Sequence, residues 1–407
     1  MKTIQHKLAL ATCALLSGTA GAAVENDWVL DTSYLRYQEG DDRIGVNKFV
    51  ADVQGRVSNS NEASVRLVHD TISGASPTGA AAPAGEQVTF TSASGDSGFS
   101  TGDSGGTLAD VEDTRLAVDG EWRHEHQRGF SSIWGAALSN ENDYESAGLS
   151  LNLEKDAHGG LTTFSTGIAT TRDDIYRSGD GATPDPLSEL GDGATFGKGH
   201  RNTTDFMAGV SRVLNKRTVA QVNLTYSFSQ GYHTDPYKVV SALDGDGNVV
   251  NTYYESRPDE RTRTALYGKL AHELSDNRAL HLAYRYYTDD WDIGSHTVDL
   301  KLRQTFRGGQ YLEPHLRYYT QSAAGFYTPF LSVDDNIAVQ LPEDGFASAD
   351  YRLDEFQSYT AGIKYGRPIG AAGKLRLRAE YLSQSFSSAY YDQNDAVIVQ
   401  ASYLYAF

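Results

Sequence analysis

The chain has 407 residues, and its 53 Asp and Glu against 35 Lys and Arg leave a formal charge of −18, which excludes a general nucleic-acid binder because such proteins need a basic face. No uninterrupted run of about 18 apolar residues follows the N-terminal segment, so no transmembrane helix is available. Tyr at 25 and Gly at 40, against only 2 Met, suit aromatic girdles and tight turns rather than a helical core.

Lys2 and Lys7 precede an apolar run from Leu8 to Leu16, and Ala20-Gly21-Ala22 follows as a small-residue cleavage site. Residues 1–22 therefore read as a Sec signal peptide cut near Ala22 or Ala23. Cys13 could be read as a lipidated residue, but Thr12 before it is a poor fit. After cleavage no cysteine remains, which removes disulfides, thiolate metal sites and Cys nucleophiles together. No Pro-rich linker or compositional break divides 23–407, so one domain is expected.

Period-two alternation marks strands over 29–39, 43–57, 62–72, 111–123, 131–139, 144–154, 161–171, 203–214, 217–230, 261–274, 278–289, 295–306, 310–321, 354–366, 374–386 and 396–407. The long connections, 73–110, 172–202, 231–260 and 322–353, are the third, seventh, ninth and thirteenth. All are odd, while the even ones are short and rich in Asn, Gly, Asp and Ser. That parity belongs to an all-β, transmembrane, up-and-down antiparallel β-barrel with both ends in the periplasm, long loops outside and short periplasmic turns. Sixteen strands are expected, with fourteen to eighteen compatible, and no plug domain. The last strand closes on Tyr403, Tyr405 and Phe407 and resembles the signal read by the barrel-assembly machinery. The cell outer membrane and its lipid are the expected surroundings.

Facing follows from cost. A charge turned to lipid at the midplane costs roughly 2–4 kcal/mol for Arg or Lys, so the charged parity must face the lumen. On that parity lie Arg261, Arg263, Lys269, Arg285, Lys301, Arg303, Arg317, Lys364, Arg376 and Arg378, against fewer acids, Glu273, Asp299, Glu313 and Glu380. A basic wall favours anions in a pore; equally, Arg and Glu can pair across strands and fill the interior. A sixteen-stranded lumen is too wide for side chains alone to close.

The connection 231–260 is the most distinctive. Tyr232, His233, Asp235, Tyr237 and Lys238 at its start, and Arg257 where it returns to the mouth, are candidates to narrow the pore or bind a ligand. Its X-Pro steps and paired aromatics predict an ordered loop. Tyr232-His233-Thr234-Asp235-Pro236-Tyr237-Lys238 and Arg257-Pro258-Asp259-Glu260-Arg261-Thr262-Arg263 are two of four fairly specific motifs. The others are Arg317-Tyr318-Tyr319-Thr320-Gln321-Ser322 with Phe326-Tyr327, and Tyr351-Arg352-Leu353-Asp354. Together they make the chain resemble the bacterial outer-membrane family of domain of unknown function 3570. The resemblance implies a barrel and carries no activity, substrate or catalytic residue. It also implies a periplasmic redox partner by association.

Four weaker features read as structure. Asp244-x-Asp246-x-Asn248 has the first half of a calcium loop without a Glu at the twelfth position, Glu255 being a near miss. Asp289-Asp290-Trp291-Asp292 with His296 reads as a solvated acidic turn. His124-Glu125-His126 lies at a periplasmic turn with no third ligand evident. Gly95-Asp96-Ser97-Gly98 and Gly102-Asp103-Ser104-Gly105-Gly106 read as Gly/Ser-rich loop. The leading functional expectation is a porin-like channel or small-solute binding and translocation protein, not an enzyme and without a cofactor. The alternatives are a non-conducting scaffold that docks a periplasmic or surface partner, and an outer-membrane hydrolase.

Overall fold

The computed structural model describes residues 28–40, 43–81, 99–101, 106–179, 181–191, 197–334, 338–388 and 392–407. The expected signal peptide and the segment 95–98 lie outside the described residues, as does most of 102–106. Sixteen strands close into one antiparallel barrel, the number read from the sequence: β1 (Trp28–Glu39), β2 (Gly45–Ser58), β3 (Asn61–Ala81), β4 (Gly106–Glu125), β5 (Phe130–Asn140), β6 (Tyr144–Ala157), β7 (Thr162–Ile175), β8 (Gly199–Asn215), β9 (Thr218–Gly231), β10 (Glu260–Ser275), β11 (Arg278–Asp289), β12 (Gly294–Thr305), β13 (Tyr311–Gln321), β14 (Phe356–Ile369), β15 (Gly373–Phe386) and β16 (Gln393–Ala406).

Every strand pairs with its chain neighbours, and β1 pairs with both β2 and β16, which closes the ring. Closure removes the unpaired edge that a sheet cannot expose to lipid. The connections β2–β3, β8–β9 and β10–β11 are tight turns, so the parity of long and short connections holds in three dimensions. β3 and β4 run further than their alternation indicated, to Ala81 and from Gly106, and the connection between them is correspondingly shorter.

The ladder fixes facing. Lys269, Ala283, Asp299 and Arg317 are linked to one another or to neighbours of the same parity, and Leu282, Leu300 and Leu316 form the opposite parity. On that outer side Leu138, Leu149, Leu282, Leu300, Leu316, Ile363, Leu377 and Val399 are all exposed. An apolar belt this continuous marks a surface that meets lipid. Trp122 and Trp134 face each other across β4 and β5 in the belt, and Tyr318 packs at a tilt against Tyr359, 5.0 Å between ring centres, on another sector.

The buried apolar clusters found among the described residues gather around the connections at the external mouth, one of them taking in Ala80 at the end of β3. Val239–Leu243 and Val249–Tyr254 form a hairpin in the β9–β10 connection, and Leu331–Ser332 from the β13–β14 connection adds to it in parallel. Val240, Ala242, Tyr253, Leu331, Ala347 and Ala349 pack as one cluster, and Trp291, Ile293, Ala324 and Leu353 as another. The connections thus form a cap with a hydrophobic core of its own.

Candidate functional site

The cap is anchored by charge as well as by packing. Arg257 Nε lies 2.6 Å from Glu255 and its Nη2 2.8 Å from Asp350. Arg352 binds both Asp350 and, at 2.8 Å, Asp235. Lys238, buried, donates to the Pro77 carbonyl and faces the Ser76 hydroxyl, both on β3. Burial is the strongest influence on Lys238 and pushes its ammonium below the ordinary value. Burial likewise raises Glu255, with Arg257 pulling the other way. Burial would raise Asp350 too, but Arg352, Lys238 and Arg257 hold it well below the usual carboxylate range.

The other loop candidates are engaged in the same layer. His233 accepts from the Ser229 hydroxyl at 2.7 Å, its Nδ1–H being directed to the Gly231 carbonyl at 2.8 Å. Its ring meets Trp291 edge to face at 5.6 Å. The Ser–His spacing suits a nucleophile and base, but Ser229 is only 1% exposed, so no substrate reaches it. Burial depresses the His233 imidazole to about 4 and keeps it neutral. The Tyr237 hydroxyl accepts from the Ser178 amide at 2.8 Å. Tyr232 packs closely against Gly199, where a Cβ would fall 2.6 Å from its Cδ1. Gly231, at φ +115°, turns the chain off β9 in a conformation that a side chain would strain.

These contacts reach strands on several sides of the mouth. Lys238 reaches β3, Tyr232 reaches β8, Tyr351 packs on Phe386 of β15 at 5.3 Å, and Arg261 of β10 stacks on Trp291 at 4.0 Å. Gln321 at the end of β13 donates to the carbonyls of Arg352 and Asp354 at 3.0 and 2.9 Å. The four motifs read from the sequence therefore converge on one structure, the cap across the barrel mouth.

Below the cap the register places all the predicted wall residues on the lumen side. Most are matched by carboxylates. Arg303 Nε donates to Glu313 at 2.7 Å and Lys364 binds the other oxygen at 2.9 Å. His315 sits between Asp299 at 2.7 Å and Glu380 at 2.9 Å, with Lys301 3.2 Å from Asp299 and Arg378 3.5 Å from Glu380. Arg376 pairs with Asp31 across the closing strands, and Arg261 donates to Asp289 at 2.9 Å. Lys269 faces the lumen opposite Gln221 and Ala283. The N-terminal half carries its own pairs, Arg115 with Asp70 at 2.7 Å and Arg201 with Asp173 at 2.7 Å. Sequence reasoning missed these because it searched one half of the wall for charge.

Three arginines stand apart. Among the described residues Arg263, Arg285 and Arg317 have no carboxylate partner. Arg263 Nη2 donates only to the Ser227 hydroxyl at 2.9 Å, and its buried Nε has no acceptor. Arg285 lies over the Tyr287 ring at 5.1 Å. Arg317 is opposite Asp299 in the ladder, but that carboxylate is engaged by His315 and Lys301. Arg263 and Arg285 line a cavity of about 350 Å³ in the wall of β6–β11, together with Asp205, Asn152, Ser227 and Tyr287. The room comes from small residues, Ser150, Gly167, Ala169 and Ala265, at inward positions of neighbouring strands.

Of the features discounted in the sequence, Asp244 accepts from the Asn248 amide at 2.8 Å and from the Asp246 amide at 3.0 Å, as a hairpin tip does. His124 bonds Asn61 and His126 bonds Ser132. Asp113, Glu141 and Asp143 bring carboxylate oxygens within 4.8 Å of one another beside the β5–β6 connection. Burial first, then the Asp113 charge, raises Glu141 to about 7 and Asp143 to about 6.

A closed sixteen-stranded barrel with an apolar outer belt and a charged lumen defines the class: a transmembrane β-barrel of the bacterial outer-membrane type. The chain belongs to the family described as "Protein of unknown function (DUF3570)", which matches residues 5–403. No curated protein matches it. Among solved structures it is similar to the siderophore receptor PirA from Acinetobacter baumannii, at 11% identity and TM-score 0.44, over 90% of this chain and 55% of that one. It is also similar to a "Bacterial polysaccharide outer membrane secretin", at 9% identity and TM-score 0.47, over 95% and 100% of the two chains. The toluene transporter TodX from Pseudomonas putida gives 10% identity and TM-score 0.42, over 97% and 93%. The chain spans about half the length of PirA.

Proposed function

We propose that this barrel binds and passes a small solute carrying negative charge across the outer membrane, with the loop cap controlling entry at the external mouth. The protein would be exported by the Sec route, cut near Ala22, and inserted by the barrel-assembly machinery. The observation that carries the reading is the set of lumen arginines left over after pairing. Among the described residues Arg263, Arg285 and Arg317 lack carboxylates, while neighbouring Arg303, Lys364, His315 and Arg376 are matched by them. An unmatched guanidinium in a lumen attracts anions more strongly than a matched one.

The test is single-channel recording of the refolded mature protein under a salt gradient. Steady conductance with anion preference supports the reading, and the triple change Arg263→Gln, Arg285→Gln, Arg317→Gln should remove most of the preference. A second reading is favoured by the cap, whose packed core and ion pairs bridge the mouth. In it the barrel is a closed scaffold that docks a partner, with the envelope redox protein implied by the resemblance as one candidate. A silent bilayer, with folding verified by heat-modifiable gel mobility, selects that scaffold.

A further inference from the structure

The cavity in the β6–β11 wall holds charges of both signs that do not pair with each other. The Asp205 side chain lines it with no ion pair or hydrogen bond to any described residue, while Arg263 and Arg285 line it with no carboxylate partner among those residues. The ladder explains the separation. Asp205 is opposite Ser227, and Ser227 is opposite Arg263, so the acid and the guanidinium stand two strands apart. At the usual strand spacing that puts their Cα atoms about 10 Å from each other. Asp205 and Arg263 are half-buried and have given up part of their hydration, while Arg285 is exposed to the lumen, and the cost to the first two is recovered when a partner supplies the opposite charge. A plain anion satisfies the arginines and is repelled by Asp205.

We infer that the cavity is a binding site for a small zwitterion of the amino-acid or short-peptide type. Its carboxylate is taken by Arg263 and Arg285 and its ammonium by Asp205, with Asn152 and the Ser227 hydroxyl as further polar contacts. Size agrees with charge: about 350 Å³ lies at the low end of the range of roughly 300–1,000 Å³ for ligand pockets. The inference rests on the solute-binding reading above and narrows it from anions to zwitterions.

The experiment measures binding to the refolded, detergent-solubilised mature protein by saturation-transfer NMR. The probes are L-alanine, propionate, which lacks the ammonium, ethylamine, which lacks the carboxylate, and L-alanyl-L-alanine. One of the two zwitterions should bind at least about tenfold more tightly than propionate or ethylamine. Asp205→Asn should bring it to within about threefold of propionate, with propionate itself binding as tightly as before or more tightly once the repulsion is gone. Arg263→Lys and Arg285→Gln should weaken both, and Ala169→Leu, which fills the cavity without touching a charge, should abolish binding of all four. Propionate binding as well as the zwitterions, an unchanged preference in Asp205→Asn, or no saturable binding of either zwitterion overturns the inference. Conductance measured in parallel separates the two readings. A conducting barrel without zwitterion preference leaves solute passage standing and ends this inference; a silent barrel that binds L-alanine does the reverse.

Discussion

Arg257 and Asp350, which belong to different connections, form an ion pair of 2.8 Å in which their side chains are 11% and 1% exposed. The pair joins the β9–β10 and β13–β14 connections, and Arg352 and Glu255 extend it on either side. A layer built from distant loops is held in register by such directional contacts, whereas its small apolar clusters alone would tolerate sliding.

Breaking this pair should release the cap while leaving the barrel folded. Removing one partner of a buried pair costs about 3–5 kcal/mol because the other charge is left stranded. Asp350→Asn should therefore make the 232–259 and 322–355 connections sensitive to protease, with heat-modifiable mobility of the barrel unchanged. Arg257→Met with Asp350→Leu takes a partner from both Glu255 and Arg352, so it should release the cap at least as fully as the single change. Equal protection in Asp350→Asn and the parent would show that packing alone holds the cap.

The cap should also loosen in acid, with a sign set by His233. Burial lowers its pKa from 6.5 to about 4, so the folded protein keeps the ring neutral while the opened chain takes a proton. The opened state then binds more protons between those values, and stability rises with pH across that window. Stability is complete above about 6.5 and is lost progressively as pH falls toward 4. Protease protection of the cap followed from pH 7 to 4 checks this, and His233→Gln should flatten the curve over that interval.

Glu141 supplies the opposite sign at another place on the mouth. Burial, reinforced by Asp113, raises it to about 7, so the folded turn holds a proton that an unfolded chain releases near 4.5. The contribution is greatest below that lower value and disappears as pH rises through 7. Glu141→Gln should raise the melting temperature above pH 7 and leave it almost unchanged at pH 4. A gain of the same size at both pH values would mean that the carboxyl is not protonated in the fold.

The barrel was legible because lipid enforces a strict alternation. Leu282, Tyr284 and Tyr286 against His281 and Arg285 can be read in one register only. The cap was not legible for the converse reason. Val239, Val240, Ser241 and Ala242 are all buried, with no polar face to set a period, and the third strand at Leu331–Ser332 comes from a remote connection. The candidate site was half visible. Arg263 and Arg285 stood out as inward charges, but their pairing state depends on which carboxylate each neighbour has already taken. Asp205 was missed, although its inward parity with Thr203 and Met207 was available in the same strand.

Paired and unpaired arginines should respond differently to neutralisation. Arg303→Gln removes a bond to Glu313, which is nearly buried, and should lower the melting temperature clearly. Arg317→Gln removes a side chain with no partner among the described residues. Its cost should stay within about 0.5 kcal/mol, the range for changes away from buried contacts. In bilayers the order reverses if the lumen conducts, with Arg317→Gln lowering anion preference and Arg303→Gln affecting it less, since Lys364 still faces Glu313. The same ranking in both assays would remove the distinction between structural and solute-facing charge.

The ring is sealed where the chain's described ends meet. Trp28 and Phe407 exchange two backbone hydrogen bonds, of 3.2 and 2.9 Å, and Tyr403, Tyr405 and Phe407 stack outward in a row at 6.5 and 6.1 Å. Deleting Phe407 removes both bonds and the end of the aromatic row, whereas Phe407→Ala removes the ring and keeps the backbone. Net backbone bonds are worth about 1 kcal/mol each, a modest loss for a barrel held by sixteen ladders. Refolding from denaturant into detergent should therefore proceed for both variants, with the deletion melting a few degrees earlier. Assembly in cells should fail for both if the aromatic row is what the assembly machinery reads. Normal cellular assembly of Phe407→Ala would shift recognition to Tyr403 and Tyr405, and the same assay on Tyr405→Ala would then decide it.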